Sequence, residues 1–265
     1  MQTVLITGAS TGIGHSTALF LAERGFYVFA GARKQEDIDA LNAIDNIEGI
    51  RLDVTSSTDI EKVVERISQD GLYGLVNNAG IAIAGPLMEI EKEQLELQFN
   101  VNVFGLHELT KACFPLLRDS EGRIVNISSV AGQIAPPFMG PYSMSKFALE
   151  AYSDSLRREL DPFGIKVSII EPGDVKTPIW DKRYIDQKKI DASPFASRAR
   201  KMERYLVSRA KKSGMDPIKI SKAIHHALTS KKPKIRYLIA RSNLMHRLTT
   251  LLPASMVDRS IRKNL

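Results

Sequence analysis

The stretch that decides the fold is TGASTGIG, residues 7–14. It directly follows the apolar run Val4–Ile6, and apolar residues at helical spacing follow it over 13–24. Glycine allows the backbone to turn sharply and to approach a phosphate, which the free N–H groups of a helix N-terminus attract. Glycine-rich turns also occur without any ligand, so the strand–turn–helix context is what predicts a dinucleotide-binding unit here.

Strand-like runs alternate with helical patterns along almost the whole chain. Strands are predicted at 3–7, 26–30, 50–53, 73–76, 123–127, 166–170 and 236–240. Helices are predicted at 13–24, 36–43, 58–69, 92–118, 142–161 and 218–229. This alternation predicts an α/β fold, a single-domain doubly wound parallel sheet (Rossmann fold) of about seven strands with helices on both faces.

Two segments depart from this alternation. The connection 174–216 is far longer than the usual loop of about 4–6 residues, and we predict that it is a substrate-binding lid with helix over 197–212. The tail 241–265 mixes basic residues with leucines and methionines at helical spacing. Such an amphipathic tail packs on the protein body, on another subunit or on a membrane surface.

Charge is distributed unevenly along the 265 residues. Residues 1–180 carry 15 Lys or Arg and 24 Asp or Glu, whereas residues 181–265 carry 22 and 6. Solvated basic helix faces account for this as readily as an acidic partner. We expect a cytoplasmic protein, because Val4–Ile6 already reads as the first strand and no run is long enough to span a bilayer. The basic segment and the amphipathic tail that follows it predict peripheral contact with anionic membranes. Nucleic acid is disfavoured because no recognition motif accompanies the charge.

The residue after the second predicted strand indicates which nicotinamide cofactor binds. NAD sites commonly place an Asp or Glu there to bind the ribose 2′-hydroxyl, but residues 29–34 read FAGARK without an acid. The guanidinium of Arg33 suits a 2′-phosphate, although an exposed arginine after a strand needs no ligand. The sequence therefore favours NADP(H) over NAD(H).

A tyrosine and a lysine four residues apart form the candidate catalytic pair. Tyr142 and Lys146 share one helix face, and a nearby ammonium lowers the pKa of a phenol. Ser129 follows the predicted strand 123–127, at the sheet edge where such folds bind ligands. A Tyr-x-x-x-Lys pair alone occurs by chance in many helices, so its weight comes from this context.

These motifs, taken in order, resemble the classical short-chain dehydrogenase/reductase family over nearly the whole chain. The family's TGxxxGxG matches residues 7–14, and its NNAG matches 77–80. Its YxxxK matches 142–146, and its PGxVxT matches 172–177. The family's Asp-Val pair and its helix asparagine match Asp53-Val54 and Asn102.

The resemblance assigns a role to each matched residue. It implies that Tyr142 exchanges a proton with the substrate oxygen, which Ser129 polarises. Lys146 would bind the nicotinamide ribose, and Asn102 would hold a water in a proton relay with Lys146. The implied cofactor-binding residues are Gly8, Ser10, Thr11, Gly12, Ile13, Gly14, Arg33, Asp53, Val54, Asn78, Ala79, Gly80, Tyr142, Lys146, Pro172, Gly173, Val175 and Thr177.

Within that family the chain looks most like the retinol and 17β-hydroxysteroid dehydrogenase group. This resemblance implies a bulky apolar alcohol, ketone or aldehyde as substrate. The sequence offers side chains for an apolar cleft, although packing of the lid on the core also accounts for most of them: Pro136, Pro137, Phe138, Met139, Trp180 and Tyr205. The resemblance also implies a homodimer or homotetramer built on helices 92–118 and 142–161. The second hypothesis is an NADPH-binding sensor or scaffold that acts through its basic C-terminal third.

The remaining titratable residues are assigned structural roles. Cys113 lies in an apolar helical pattern and is predicted to be a buried thiol. The five histidines show no metal-ligand spacing with cysteine or carboxylates, and none is predicted to bind a metal or to catalyse.

Overall fold

The computed structural model describes residues 1–180 and 192–262. Its strands are β1 (Gln2–Ile6), β2 (Phe26–Ala32), β3 (Ile47–Arg51), β4 (Gly74–Asn77), β5 (Arg123–Ile127), β6 (Lys166–Pro172) and β7 (Arg236–Ile239). They form one sheet in the order β3-β2-β1-β4-β5-β6-β7, and every neighbouring pair is parallel. The order reverses between β1 and β4, and in such sheets ligands bind beyond the strand ends at that point.

Ten α-helices accompany the sheet in the described part of the chain. They are α1 (Gly12–Ala22), α2 (Gln35–Asn42), α3 (Ser57–Ser68), α4 (Lys92–Phe99), α5 (Gly105–Asp119), α6 (Gly140–Leu160), α7 (Ala196–Ser213), α8 (Ile218–Thr229), α9 (Asn243–Leu251) and α10 (Ala254–Arg262). Both faces of the sheet are covered, as the continuous apolar strands predict.

The core has two layers because neighbouring residues of a strand point to opposite faces. Val4 of β1 belongs to the layer that contains Ile224 of α8. Leu5 belongs to the opposite layer, with Leu109 and Cys113 of α5. Burial raises the pKa of the Cys113 thiol to about 12, which confirms the structural thiol.

The segment predicted as a helix, 92–118, is helical throughout, but it contains a π turn that the sequence did not predict. The chain forms α4, then one π-helical turn at Asn100–Phe104, then α5. The side chain of Asn102 lies in this turn and bonds the backbone of Ile81. Gly105 ends the turn against the carbonyl oxygen of Val54, where a Cβ would collide. A tertiary contact therefore overrides the local helical pattern.

The third strand begins three residues and ends two residues earlier than predicted, because the left-handed backbone of Asn46 (φ 62°) turns the chain directly into β3. The predicted helix over 197–212 is α7. Tyr184 and the rest of 181–191 lie outside the described residues, as do 263–265. The tail folds as α9 and α10, which Pro253 separates.

Candidate active site

The loop after β1 is joined to the loop after β4 by hydrogen bonds. Oγ1 of Thr7 accepts from the backbone N of Asn78 at 2.9 Å and of Ala79 at 2.8 Å. Nδ2 of Asn78 donates to the carbonyl oxygens of Thr7 and Gly8. Gly8 has a φ of +64° and lies so close to Ala79 that a Cβ would come within 3.0 Å of its Cα. The glycine loop is thus held in a fixed shape.

This loop forms the floor of a cleft of about 230 Å³. The cleft residues that the sequence predicted are Gly8, Ser10, Thr11, Gly12, Ile13, Arg33, Asp53, Val54, Asn78, Ala79, Gly80, Ser129, Tyr142, Lys146, Pro172, Gly173, Val175 and Thr177. Gly14 is not among the lining residues. It packs on the carbonyl oxygen of Gly8, where a Cβ would collide, so its glycine is required for packing.

The cleft suits a dinucleotide. The first turn of α1 contains no acidic residue, and its N-cap Thr11 makes no side-chain capping bond in the described structure. The positive end of the helix and its N–H groups would therefore favour a phosphate bound there. A Cβ on Gly12 would approach the Thr177 methyl to 3.1 Å, so glycine keeps the cleft open there.

Arg33 and Asp53 face each other at one end of the cleft. Nη1 of Arg33 lies 3.8 Å from Oδ2 of Asp53, and the Arg33 side chain is 61% exposed. Burial opposes ionisation of Asp53, but hydrogen bonds from Thr55 and the charges of Arg33 and Arg51 lower its pKa overall. No acid stands at the end of β2 to compete for the guanidinium.

Ser129 and Tyr142 meet at the other end. Ser129 lies two residues beyond β5, and Tyr142 lies in the first turn of α6. The Ser129 hydroxyl lies close enough to the phenol of Tyr142 to lower its pKa. Its oxygen accepts from the backbone N of Ala131 at 3.1 Å and lies 3.5 Å from the carbonyl oxygen of Pro172. The predicted Ser–Tyr pair is therefore assembled, with both side chains buried.

Lys146 lies one helical turn after Tyr142 and points into the sheet edge. Its Nζ donates to the carbonyl oxygen of Ile127 at 2.7 Å and lies 5.6 Å from the centre of the Tyr142 ring. Burial lowers the pKa of Lys146 to about 8, and the charge of Glu150 opposes that effect. Burial raises the pKa of Tyr142, and the interaction with Ser129 reduces that rise; the lowering of this pKa by Lys146 stays a prediction.

Asn102 holds the loop beside the catalytic pair. Its Oδ1 accepts from the backbone N of Ile81 at 2.9 Å, and its Nδ2 donates to the carbonyl oxygen of Ile81 at 3.1 Å. Nδ2 also lies 3.0 Å from Oγ of Ser145, on α6. Asn102 does not line the cleft. The water relay through Asn102 stays a prediction.

A second cavity of about 630 Å³ opens beside the cleft, and Ser129, Tyr142 and Gly173 border both. Of the predicted apolar residues, Pro136, Pro137, Met139 and Tyr205 line it. Phe138 does not line it, and its backbone carbonyl instead accepts from Gly85 N at 2.7 Å. Its walls also include the α7 residue Met202, the tail residues Met245, His246, Thr249 and Ile261, and the charged residues Asp174 and Arg241.

Sequence reasoning missed a cluster of partly buried charges behind α6, around the buried Glu171. Nε of Arg236, at the start of β7, lies 3.1 Å from Oε2 of Glu150 and 3.4 Å from Oε1 of Glu171. Its Nη2 lies 3.0 Å from Oδ2 of Asp154. Burial and the nearby charge of Glu150 raise the pKa of Glu171 to about 7. The i, i+4 spacing of Lys146, Glu150 and Asp154 was the available sequence signal.

Two kinds of feature are absent from the described residues. Among 1–180 and 192–262, no group of three or more His, Cys, Asp or Glu side chains is placed to hold a metal ion. In the same ranges, no helix is both long enough and apolar enough to cross a membrane.

Comparison with known proteins agrees with this geometry. Residues 2–188 match the family described as short chain dehydrogenase. The chain belongs to this family. Oxidoreductases of this family act on hydroxyl or carbonyl groups with a nicotinamide cofactor, and the sheet order and glycine loop of this chain fit that activity.

Three relatives match almost the whole chain. An uncharacterized oxidoreductase, YbbO, of Escherichia coli K12 is 38% identical over 98% of this chain and 94% of its own length. An NADPH-dependent 3-dehydrocapnine reductase of Ornithobacterium rhinotracheale is 35% identical over 100% of this chain and 98% of its own length. Mouse retinol dehydrogenase 5 is 36% identical over 96% of this chain and 86% of its own length, which agrees with the resemblance to the retinol dehydrogenase group.

A solved structure shares the complete fold. The crystal structure of a short-chain dehydrogenase from Streptomyces avermitilis matches with a TM-score of 0.84 and 32% identity. The match covers 99% of this chain and 97% of the other. The tail helices are included in that coverage, so the single seven-stranded sheet and its C-terminal extension form one shared architecture.

Proposed function

We propose that this protein transfers a hydride between NADP(H) and a bulky apolar alcohol, ketone or aldehyde, of steroid-like or retinoid-like size, with Tyr142 as acid and base. The observation that carries the proposal is the position of Ser129 and Tyr142, which border both the dinucleotide cleft and the apolar cavity. A substrate oxygen bound between these two hydroxyls would place its carbon at the junction of the cavities.

The site residues account for the proton transfer. In reduction, the phenol of Tyr142 donates its proton to the carbonyl oxygen, and the Ser129 hydroxyl donates a hydrogen bond to the same oxygen. Burial raises the pKa of Tyr142, so the phenol is protonated at neutral pH, which is the form that donates to a carbonyl oxygen. The ammonium of Lys146 balances the phenolate that forms. A bound nicotinamide supplies or accepts the hydride at the substrate carbon.

The preference for NADP(H) over NAD(H) rests on Arg33. Its guanidinium lies at the cleft and is largely exposed, so it can reach a 2′-phosphate, and a charged bidentate contact is strong and specific. Asp53 binds the same guanidinium weakly at 3.8 Å. The relative from Ornithobacterium, whose name states NADPH dependence, supports this choice.

The substrate class rests on the second cavity. Its volume of about 630 Å³ lies within the roughly 300–1,000 Å³ of small-molecule sites, and prolines, methionines and Tyr205 form much of its wall. Retinol dehydrogenase 5 among the relatives supports an apolar substrate. We propose that 174–216, which contributes Met202 and Tyr205, is the lid over this cavity.

The surface supports two further proposals for this protein, which we expect in the cytoplasm. The first is a homodimer or homotetramer through α5 and α6, where Phe147 is 45% exposed. The second is peripheral contact with anionic membranes through 241–265, where Leu244 and Leu251 are 69% and 81% exposed near the basic Arg247. Salt-dependent sedimentation with anionic vesicles that is lost in Leu251→Asp tests this contact.

A substrate panel with a Tyr142→Phe variant tests the proposed activity. Wild-type protein is expected to oxidise NADPH with bulky apolar ketones or aldehydes, and Tyr142→Phe to lose about 10²–10⁴-fold of that rate while binding NADPH normally. Tyr152→Phe, on the same helix, is the matched control and is expected to stay active. Wild-type protein that binds NADPH but turns over no member of the panel would favour the sensor or scaffold hypothesis.

A further inference from the structure

The C-terminal helices form one wall of the apolar cavity but bury little surface themselves. Met245, His246 and Thr249 of α9 line the cavity with Ile261 of α10, yet no described residue of α9 or α10 is fully buried. Burial of apolar surface is normally the main force that fixes a helix on a protein. Polar contacts must therefore contribute much of what holds α9 in place.

The start of α9 is fixed to the end of β7. Nδ2 of Asn243 donates to the carbonyl oxygen of Leu238 at 3.0 Å, and its Oδ1 accepts from the backbone N of Ala240 at 2.8 Å. Oγ of Ser242 caps the helix by accepting from the backbone N of Met245. These bonds set where α9 begins, but its angle to the cavity depends on a contact further along the helix.

His246 makes that contact with the active-site loop. Its Nε2 lies 2.8 Å from Oε1 of Gln133, and Gln133 directly follows the short 3₁₀ turn Val130–Gly132 that Ser129 caps. Nε2 of Gln133 donates to Oε1 of Glu171 at 2.6 Å. That bond fixes the amide so that its oxygen faces His246, and Nε2 of His246 must then carry the proton and donate.

Glu171, the last residue in this series of hydrogen bonds, also interacts with residues of other elements. The Glu171 side chain is only 2% exposed and interacts with Arg236. It lies at the end of β6, two residues before Gly173, which borders both cavities. The charge of Arg247, the next residue of α9, also acts on Glu171 and lowers its pKa. Two neighbouring residues of α9 therefore interact with the buried Glu171 side chain, His246 through Gln133 and Arg247 through its charge.

We propose that His246 is a positioning residue for the substrate cavity. Through Gln133 and Glu171 it fixes α9 against the loop that carries Ser129, and this contact sets the cavity width and the preference for bulky substrates. The proposal rests on the function given above, in that the cavity binds the substrate. His246 itself does not take part in the chemistry, because it bonds to Gln133 and not to the catalytic tyrosine.

The test compares three variants on the full-length protein. His246→Ala removes the donor, His246→Gln retains an N–H donor, and Thr250→Ala is a control at an exposed position of the same helix. Each is measured for kcat and KM with NADPH, using one bulky apolar ketone and one small ketone that does not reach α9. Hydrogen exchange of 243–251 gives a readout that does not depend on turnover.

His246→Ala is expected to raise KM for the bulky ketone about tenfold, as expected for loss of one hydrogen bond. It should leave kcat and the pH profile for the small ketone unchanged and speed exchange in 243–251. In His246→Gln, KM for the bulky ketone and the exchange rate of 243–251 should both return most of the way to the wild-type values. Unchanged exchange in His246→Ala, or an equal rise in KM for both ketones, would overturn the proposal. If the wild type reduces neither ketone, the proposed function fails, while the exchange measurement still decides the role of His246.

Discussion

Nη1 of Arg33 lies 3.8 Å from Oδ2 of Asp53, so the cation expected to bind a 2′-phosphate is already paired with a carboxylate at the end of the cleft. The distance exceeds that of a strong charged hydrogen bond, about 2.7–2.9 Å. Arg33 is also mostly exposed, and exposed pairs contribute little. A phosphate can therefore replace Asp53 as the main partner at small cost.

Arg33→Ala is expected to weaken NADPH binding at least tenfold and to leave NADH binding unchanged. A hydrogen bond to a charged group is worth about 1.5–3 kcal/mol, and about 1.4 kcal/mol corresponds to a factor of ten. Fluorescence titration with both cofactors measures this, and Lys34→Ala removes an equal charge at the next position as a control. Equal affinity of wild type for NADH and NADPH would contradict the assignment.

The second prediction concerns Lys146, which the proposed activity requires but whose buried charge lowers the stability of the folded protein. Burial lowers its pKa from 10.5 to about 8. Between those pH values the unfolded chain holds a proton that the folded chain has released, so stability rises with pH. Below pH 8 the folded state carries the full cost of about 3 kcal/mol.

Lys146→Met should therefore raise the free energy of unfolding at pH 7 by about 1–2 kcal/mol, after allowance for the lost bond to Ile127. The same variant should abolish turnover. Chemical denaturation at pH 7 measures the gain, and Lys111→Met, at an exposed position on α5, is the control. A variant less stable than wild type at pH 7 would show that the bond to Ile127 outweighs the cost of burying the charge.

The exposed apolar residues of α6 give the third prediction. Met144 and Phe147, which lie near one face of that helix, are 46% and 45% exposed, and in a solitary subunit such side chains gain nothing from burial. Phe147→Asp is expected to dissociate the oligomer, as measured by light scattering after size-exclusion chromatography. Met88→Asp, which changes a side chain that is 82% exposed in another segment, should not. A monomeric wild type would refute the proposed assembly.

The site residues that the sequence predicted share one property, namely that short-range spacing defines them. The glycine loop and the Tyr142–Lys146 pair depend on contacts within a few residues or one helical turn, so their pattern was visible in the chain. The packing of Gly14 against Gly8 is visible only in the folded loop, and its role in cofactor binding stays a prediction. Asn102 was also located correctly, but the π turn that holds it could not be read from an uninterrupted helical pattern.

The charge cluster could not be predicted for the opposite reason. Glu150, Glu171 and Arg236 come from α6, β6 and β7, and the i, i+4 spacing on α6 indicates only that this helix carries charges along one face. Only the order of the strands brings them together behind Lys146. His246 was likewise assigned no role, because its partner Gln133 lies 113 residues away along the chain.

Glu171 gives the last prediction, which follows from its raised pKa. The ordinary glutamate value of 4.5 is raised to about 7, mainly by burial and also by the nearby Glu150. Below pH 4.5 both folded and unfolded chains hold the proton, and Glu171 contributes no pH dependence. Between pH 4.5 and 7 only the folded state holds it, so stability falls as pH rises. Above pH 7 the loss is complete, at about 3 kcal/mol.

Glu171→Gln removes this cost because an amide does not ionise. The variant is expected to be more stable than wild type at pH 8, by up to about 3 kcal/mol, and no more stable at pH 4.5. Loss of the ion pair between Glu171 and Arg236 reduces this gain. Arg236 retains Glu150 and Asp154, so that loss is partial. Urea denaturation across pH 4.5–8 measures the difference, with Glu65→Gln on α3 as an exposed control. A difference that does not grow with pH would show that Glu171 is ionised throughout, held as a carboxylate by Arg236 and Gln133.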